Sequence, residues 1–285
     1  MTMMTDPAHK ALDIVLSAII AALRQHADGP LVVGICGAQG SGKSTLARQL
    51  EGALAAQGLR SVTLSLDDLY LPVEARIRLA DEVHPLLRTR GVPGTHEVAL
   101  GLSVLDDVRD GKAVHLPRFD KATDSRAPKA AWPLVAEPVD VVLFEGWCVG
   151  AVAEDEAALA VPVNALEAEA DPDGRWRQMV NAALKGPYQD LFARIDLLVL
   201  LAAPGFDVVA GWRIEQEHEL RRQHAGVSGG TIMTDAQVMT FIQYYERLTR
   251  HILREMPGRA DLVLYLDAQR RVLRCVHRHD DTDMG

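Results

Sequence analysis

Cysteine is scarce in this chain, with Cys36, Cys148 and Cys275 the three examples in 285 residues. An odd count without paired spacing supplies neither a disulfide framework nor a zinc ligand set, and predicts reduced thiols packed as small hydrophobes in a cytoplasmic protein. Aromatic residues are sparse too, at 5%, so the core must be largely aliphatic. Long apolar runs are missing. Residues 11–23, the longest such stretch near the N-terminus, are interrupted by Asp13 and Ser17 and alternate as a helix does, which argues against a membrane span. No basic leader with a small-residue cleavage site precedes them. Positive charge is also in deficit: 30 Lys and Arg against 39 Asp and Glu leave a formal charge of −9. Such a chain is not expected to bind nucleic acid or anionic lipid nonspecifically, and any phosphate it handles must meet a local basic site.

What remains is a globular composition, 48% hydrophobic and 24% charged, without an internal repeat or low-complexity linker. Residues 8–25 carry Leu12, Val15, Ile19 and Leu23 at helical spacing, and Gly29-Pro30 ends the pattern. Residues 31–36 form a short apolar run with β-branched members, as expected of a strand covered on both faces. Further strand candidates are 61–66, 139–144, 195–201 and 262–266, with helical patterns between most of them. Strands alternating with helices predict an α/β fold with a mainly parallel sheet flanked by helices on both faces. Two longer helices are expected around 171–194 and 233–255, the second capped by Thr234 or Asp235. Residues 1–7 and 277–285 are expected to be tails; the His277, His279, Asp280, Asp281 and Asp283 cluster in the second lacks a framework to hold a metal.

The chemistry begins at Gly37-Ala38-Gln39-Gly40-Ser41-Gly42-Lys43-Ser44, where four free positions separate a glycine from Gly-Lys-Ser between a strand and a helix. Glycines let the backbone wrap a polyphosphate with its N–H groups inward, and the helix N-terminus adds partial positive charge. Lys43 is suited to the β- and γ-phosphates of ATP, Ser44 to Mg²⁺, and Thr45 follows in the first helical turn. The strand at 139–144 delivers Glu145 to the sheet edge where ligands bind, a position from which a carboxylate orients Mg²⁺ directly or through water; a solvated turn residue is the plainer alternative. This is the pattern of the P-loop NTPase fold.

A phosphate loop alone does not separate a kinase from a switch, motor or transporter ATPase. Ser65-Leu66-Asp67-Asp68-Leu69-Tyr70 closes the second strand candidate with carboxylates at the same edge. Asp67 is the first choice for a base that takes a proton from an acceptor hydroxyl, with Asp68 as a partner of Mg²⁺ or its water; both are alternatively turn-capping aspartates. Arg88, Arg90 and His96 lie on a Gly/Pro-punctuated loop suited to an anionic acceptor, before a helix for which Thr95 is the expected cap. Leu116-Pro117-Arg118-Phe119-Asp120-Lys121 alternates charge around one aromatic and reads equally as an exposed hairpin edge. Arg213 shares a helix face with Gln216 and Glu217, fitting either a lid that closes on the transferred phosphoryl or intrahelical ion pairing.

In order and approximate spacing these segments, with Phe144-Glu145-Gly146-Trp147 and residues 241–249, resemble the D-glycerate 3-kinase family of plant and fungal type over roughly 31–272. That family belongs to a wider group of kinases containing phosphoribulokinase, uridine kinase and pantothenate kinase. The resemblance implies one P-loop kinase domain over 1–285, an acceptor-site insertion at 67–135 and a lid at 203–230. It also implies transfer from ATP with Mg²⁺ to D-glycerate, giving 3-phosphoglycerate. Arg90 and Arg118 would hold the acceptor carboxylate, His96 and Lys121 its hydroxyls or the incoming phosphoryl, with Arg88 and Asp120 in the same substrate loops. Asp67, Lys43 and Arg213 would be the catalytic residues. The chain departs from the family pattern at Leu69, where an aromatic is common, and at Ala122-Thr123-Asp124-Ser125-Arg126, which lies in a substrate loop. The alternatives are a kinase of another small hydroxylated metabolite, such as uridine, pantothenate or a sugar acid, or a nucleotide-binding regulatory ATPase.

Overall fold

The computed structural model describes residues 7–223 and 233–278. The expectations placed on residues 1–6 and 279–285 of the tails, and on 224–230 of the lid, lie outside them.

In chain order the helices are α1 (Pro7–Leu23), α2 (Lys43–Ala56), α3 (Val73–Glu82), α4 (Val98–Arg109), α5 (Ala165–Ala170), α6 (Arg175–Lys185), α7 (Pro187–Phe192), α8 (Asp207–Gln223) and α9 (Asp235–Glu255). The strands are β1 (Leu31–Gly37), β2 (Ser61–Ser65), β3 (Val114–His115), β4 (Phe119–Asp120), β5 (Ser125–Arg126), β6 (Leu134–Val135), β7 (Val141–Gly146), β8 (Leu197–Ala202), β9 (Leu262–Leu266) and β10 (Val272–His277).

Six strands form the central sheet in the order β10-β9-β8-β1-β7-β2. The pairings among β9, β8, β1, β7 and β2 are parallel, and β10 joins antiparallel at the edge. All seven residues of β1 are buried, as a strand between two covered faces requires. The pleat divides its side chains: Val32 and Cys36 face one layer with Phe144, Leu191 and Ile252. Leu31, Val33 and Ile35 face the other with Ile19, Leu50 and Leu54. Because these strands run the same way, the C-terminal ends of β1, β2 and β7 bring the phosphate loop, Asp67 and Glu145 to one edge.

Several expectations shift. The strands expected at 139–144 and 195–201 begin about two residues later, after Asp140 and Asp196, which cap neighbouring strands: Asp140 accepts from the Arg60 amide at 2.7 Å and Asp196 from the Val32 amide at 2.8 Å. The helix expected around 171–194 divides into α6 and α7 at Gly186-Pro187, where Pro187 has no amide hydrogen to continue the ladder and starts the second helix. Helix α9 is capped by Thr234 in a reciprocal capping box with Gln237. Thr95 does not cap α4, whose N-cap is Glu97. Its buried hydroxyl instead accepts from the Gly91 amide at 3.0 Å and donates to the Val92 carbonyl at 2.7 Å, closing the loop that carries Arg90. His277, placed in the tail by its polar surroundings, pairs with Leu262 at the end of β10.

Candidate active site

The phosphate loop leaves β1 at Gly37 and enters α2 at Lys43. Gly40 and Gly42 take left-handed φ of 74° and 91°. Gly40 is required for a second reason: a Cβ there would stand 2.7 Å from the Cβ of Trp212 on α8. Helix α8 thereby lies directly against the loop. Ser41 donates its amide to the Ala38 carbonyl at 3.1 Å, and the first-turn amides of α2 open toward the loop by helix geometry. Ser44 donates its hydroxyl to Glu145 Oε1 at 3.1 Å. Glu145 Oε2 is buried without a protein partner, and so are Gln39 Oε1 and Ser41 Oγ. A buried carboxylate oxygen of this kind is costly unless a ligand completes it. With a hydroxyl and a carboxylate in contact beside Lys43, the donor set fits a hard divalent cation such as Mg²⁺.

Three openings adjoin the loop. One of about 410 Å³ lies between Gly40 to Thr45 and the Trp212, Glu215, Glu219 and Arg222 side of α8. A second, about 360 Å³, continues past Thr45 and Gln49 to Leu266, Gln269 and Arg271. Gln269 and Arg270 of the turn after β9 form part of this wall; Arg270, with φ 65°, donates from Nε to the Gly40 carbonyl at 2.5 Å and covers the Trp212 ring at 5.1 Å. The third, about 200 Å³, runs from Gln39, Gly40, Lys43 and Ser44 to Asp67, Tyr70, Arg90, Lys121, Trp147, Arg213, Phe241 and Tyr245. A larger cavity of about 660 Å³ lies at the opposite end of the sheet, below α1, far from this chemistry.

Asp67 is the centre of the third chamber. It follows β2 in a short 3₁₀ turn, residues Leu66–Leu69. Its Oδ1 accepts from the Tyr70 hydroxyl at 2.7 Å and its Oδ2 from Lys121 Nζ at 2.6 Å. Burial pushes its pKa up, but the charges of Lys121 and Lys43 and these two hydrogen bonds outweigh it and hold the carboxyl well below the usual range. Asp67 is therefore a carboxylate at every pH of physiological interest.

Asp68 has a different occupation. It accepts from the Phe119 amide at 2.9 Å and from Arg118 Nη1 at 3.3 Å, anchoring the β4–β5 hairpin. Burial raises its carboxyl above the ordinary value, partly opposed by the Phe119 amide and Arg118. Both its oxygens are spent on protein donors, and it lies outside the chamber lining together with Arg118. Asp120 is turned inward on its own loop, accepting from the Ala122 amide at 2.9 Å and from Thr123 Oγ1 at 2.9 Å. Arg88 is exposed and does not border the chamber.

A bridge between Tyr70 and His96, with Leu71 N donating to Thr95 O at 2.9 Å and Glu97 N to Leu69 O at 2.7 Å, brings the 95–97 segment beside Asp67. His96 stacks on Tyr70 with centroids 4.7 Å apart, so it stands behind that ring and outside the chamber wall. Its Nδ1 is 2.6 Å from the Tyr188 hydroxyl, which already accepts from the Gly94 amide. The tyrosine proton therefore points to Nδ1 and leaves the ring hydrogen on Nε2, a buried atom without a partner. Burial holds the imidazole down at about 4, hence neutral.

Arg213 lines the chamber from α8, pairs with Glu217 one turn on, and lies over Phe241 at 6.0 Å. The ion pairing is thus formed, and the side chain borders the same chamber as Lys43 and Ser44. The sequence pattern had singled out no role for Trp147, Phe241 or Tyr245. Trp147 Nε1 donates to the Gly91 carbonyl at 2.8 Å, Tyr245 donates to the Arg90 carbonyl at 3.2 Å, and the two rings meet edge to face at 4.9 Å. In a chain so poor in aromatics, their gathering around one chamber was the available signal.

Phosphate loops also serve switches and motors, whose acceptor is water. What separates this site is a side chamber with its own ionised carboxylate and cations, opening onto the same loop, which suits an organic acceptor. The protein is built as an ATP-dependent phosphotransferase of the P-loop class. A model of the phosphoribulokinase/uridine kinase family matches residues 32–161. An uncharacterized kinase of Schizosaccharomyces pombe is 33% identical over 253 residues, covering 82% of this chain and 86% of the relative. Chloroplastic D-glycerate 3-kinase of Arabidopsis thaliana is 31% identical over 226 residues, 76% of this chain but 46% of that protein. The solved D-glycerate 3-kinase of Cryptococcus neoformans superposes with a TM-score of 0.78 at 26% identity, covering 94% of this chain and 99% of that one. The chain belongs to the phosphoribulokinase and uridine kinase family, with D-glycerate 3-kinases among its homologues. No helix among the described residues is long and apolar enough to cross a membrane.

Proposed function

We propose that this protein transfers the γ-phosphoryl group of ATP to a hydroxyl of D-glycerate, giving 3-phosphoglycerate. The observation that carries the reading is Asp67, held ionised between Tyr70 and Lys121 in the chamber that also exposes Lys43 and Arg90. An ionised carboxylate is a base for a primary alcohol at the moment of transfer, and Arg90 is a fork-shaped cation of the kind that binds a carboxylate. Uridine brings no negative charge for Arg90 to meet, which favours an acid as acceptor.

In this scheme the loop amides and Lys43 hold the ATP phosphates, and Arg90 orients the acid. Asp67 takes the hydroxyl proton as the oxygen attacks phosphorus in line and the bond to the β-phosphate oxygen breaks. Lys121, already on Asp67, keeps the carboxylate aimed, and Arg213 stabilises the charge spread over the transferring group. Ser44 and Glu145 would hold Mg²⁺, which supplies charge neutralisation on the β- and γ-oxygens when bound. Arg118, Asp68, Arg88, Asp120 and His96 act from outside the chamber, the first two by fixing the hairpin that carries Lys121. The test is ADP release from Mg·ATP with D-glycerate, L-glycerate, uridine and pantothenate in turn. Strong stimulation by D-glycerate is expected; stimulation by uridine or pantothenate and not by D-glycerate would move the acceptor elsewhere in the family, and a flat response to all would favour a regulatory ATPase.

A further inference from the structure

The turn between β4 and β5 carries Asp124, which takes φ 52°. Aspartate tolerates that left-handed conformation better than most residues, but the position still carries a cost that its contacts must offset. Its two carboxylate oxygens go to two arginines. Oδ2 pairs with Arg76 Nη2 at 2.7 Å, and Oδ1 accepts from Arg90 Nη1. Arg76 is 1% exposed and donates as well to the carbonyls of Leu71 at 3.1 Å, Arg88 at 2.6 Å and Asp124 at 3.3 Å. It is a fixed post, and Asp124 is tied to it.

Arg90 is the opposite kind of arginine. Its backbone is held by Tyr245 at its own carbonyl and by Trp147 at the next, while its side chain crosses the Phe119 ring at 5.6 Å and ends in the chamber. Nη1 is spent on Asp124; Nε and Nη2 have no acceptor among the described residues. A long, rotamer-rich side chain would not hold one orientation unaided. We propose that Asp124 is a positioning residue that fixes the guanidinium of Arg90, leaving its Nε–Nη2 edge for the single carboxylate of a hydroxy acid. The inference rests on the acid-kinase reading above. It leaves the phosphate side untouched: Asp124 reaches the acceptor through Arg90, and neither Lys43 nor Ser44 is among its partners.

Asp124→Asn keeps the shape and the left-handed tolerance while removing the charge. In the full-length protein, the KM for D-glycerate should rise about tenfold or more, as expected for loss of aim in a charge-assisted hydrogen bond, while the KM for ATP stays within about twofold. A second reading needs no acceptor: the rate at which phenylglyoxal modifies Arg90, followed by peptide mass spectrometry, should increase several-fold in the variant. If the wild-type protein uses D-glycerate and the variant changes neither quantity, the proposal is overturned. If the wild-type protein ignores D-glycerate, the acid-kinase reading fails, and an unchanged Arg90 modification rate would separately overturn the positioning role. Should Asp124→Asn fail to fold because Arg76 is left as an unpaired buried charge, the double variant Asp124→Asn/Arg76→Gln carries the same two measurements.

Discussion

The two walls of the active site are built in different ways. The phosphate side is one continuous segment, Gly37 to Thr45, whose shape comes from glycine φ angles and the start of α2. The side proposed to hold the acceptor is assembled from five separated stretches: Asp67 and Tyr70 after β2, Arg90 on a loop, Lys121 on a hairpin, Trp147 after β7, and Phe241 and Tyr245 on α9. Backbone groups shape the first wall; paired side chains shape the second, with Lys121 on Asp67 and Asp124 on Arg90. A wall made of backbone must keep the same ligand as long as its glycines stay. A wall made of ion pairs depends on each side chain in it, so one loop substitution is enough to alter what it can hold.

Substitutions can break this contrast, beginning with the largest effect. Asp67→Asn should lower kcat by about 10²–10⁴ while ATP affinity and melting temperature hold; comparable loss of ATP binding would place Asp67 on the wrong wall. Lys43→Ala should cost about 10²–10³ in kcat/KM whichever acceptor is offered, since it removes one electrostatic contact on the phosphates. An effect confined to one acceptor would contradict its place.

Lys121→Met addresses the charge pair itself. Lys121 lowers the pKa of Asp67, so its removal must raise it, and the acid limb of the kcat/KM profile should move to higher pH. An acid limb that stays put would mean that Lys121 does not govern the base. Gly40→Ala meets both a left-handed φ and the Trp212 side chain, so it should weaken nucleotide binding and lower the melting temperature by a few degrees, about 1–2 kcal/mol. The smallest effect is assigned to Arg88→Ala. Exposed and outside the chamber, it should leave the acceptor KM within about twofold, which a direct titration of acceptor would check.

The same contrast explains what was legible in the sequence. The phosphate loop, the alternation of strands and helices, and the carboxylates at strand ends are local patterns, and each is present in the expected order, with two strand starts shifted by two residues and one helix divided at Gly186-Pro187. Hydrophobic periodicity does not encode the strand order β10-β9-β8-β1-β7-β2, because it records which residues are covered and not by what. Asp67 and Asp68 have the same chemistry and adjacent positions; the Phe119 amide and Arg118, fifty residues away, engage the second and leave the first to the chamber. The same holds for the arginines. Arg88 and Arg90 are two residues apart on one loop, yet only the second meets Asp124 and the chamber. Thr95 looked like a helix cap because its type suits one, but its hydroxyl is used inside the loop by Gly91 and Val92.

The most direct measurement is phosphorus NMR of the complete reaction mixture of enzyme, Mg·ATP and D-glycerate. Growth of a phosphomonoester resonance matching 3-phosphoglycerate, in step with the loss of ATP, is the result this architecture predicts. ATP converted to ADP and inorganic phosphate alone, with no phosphomonoester, would contradict it, because the chamber beside the loop would then be admitting water where an acceptor acid belongs.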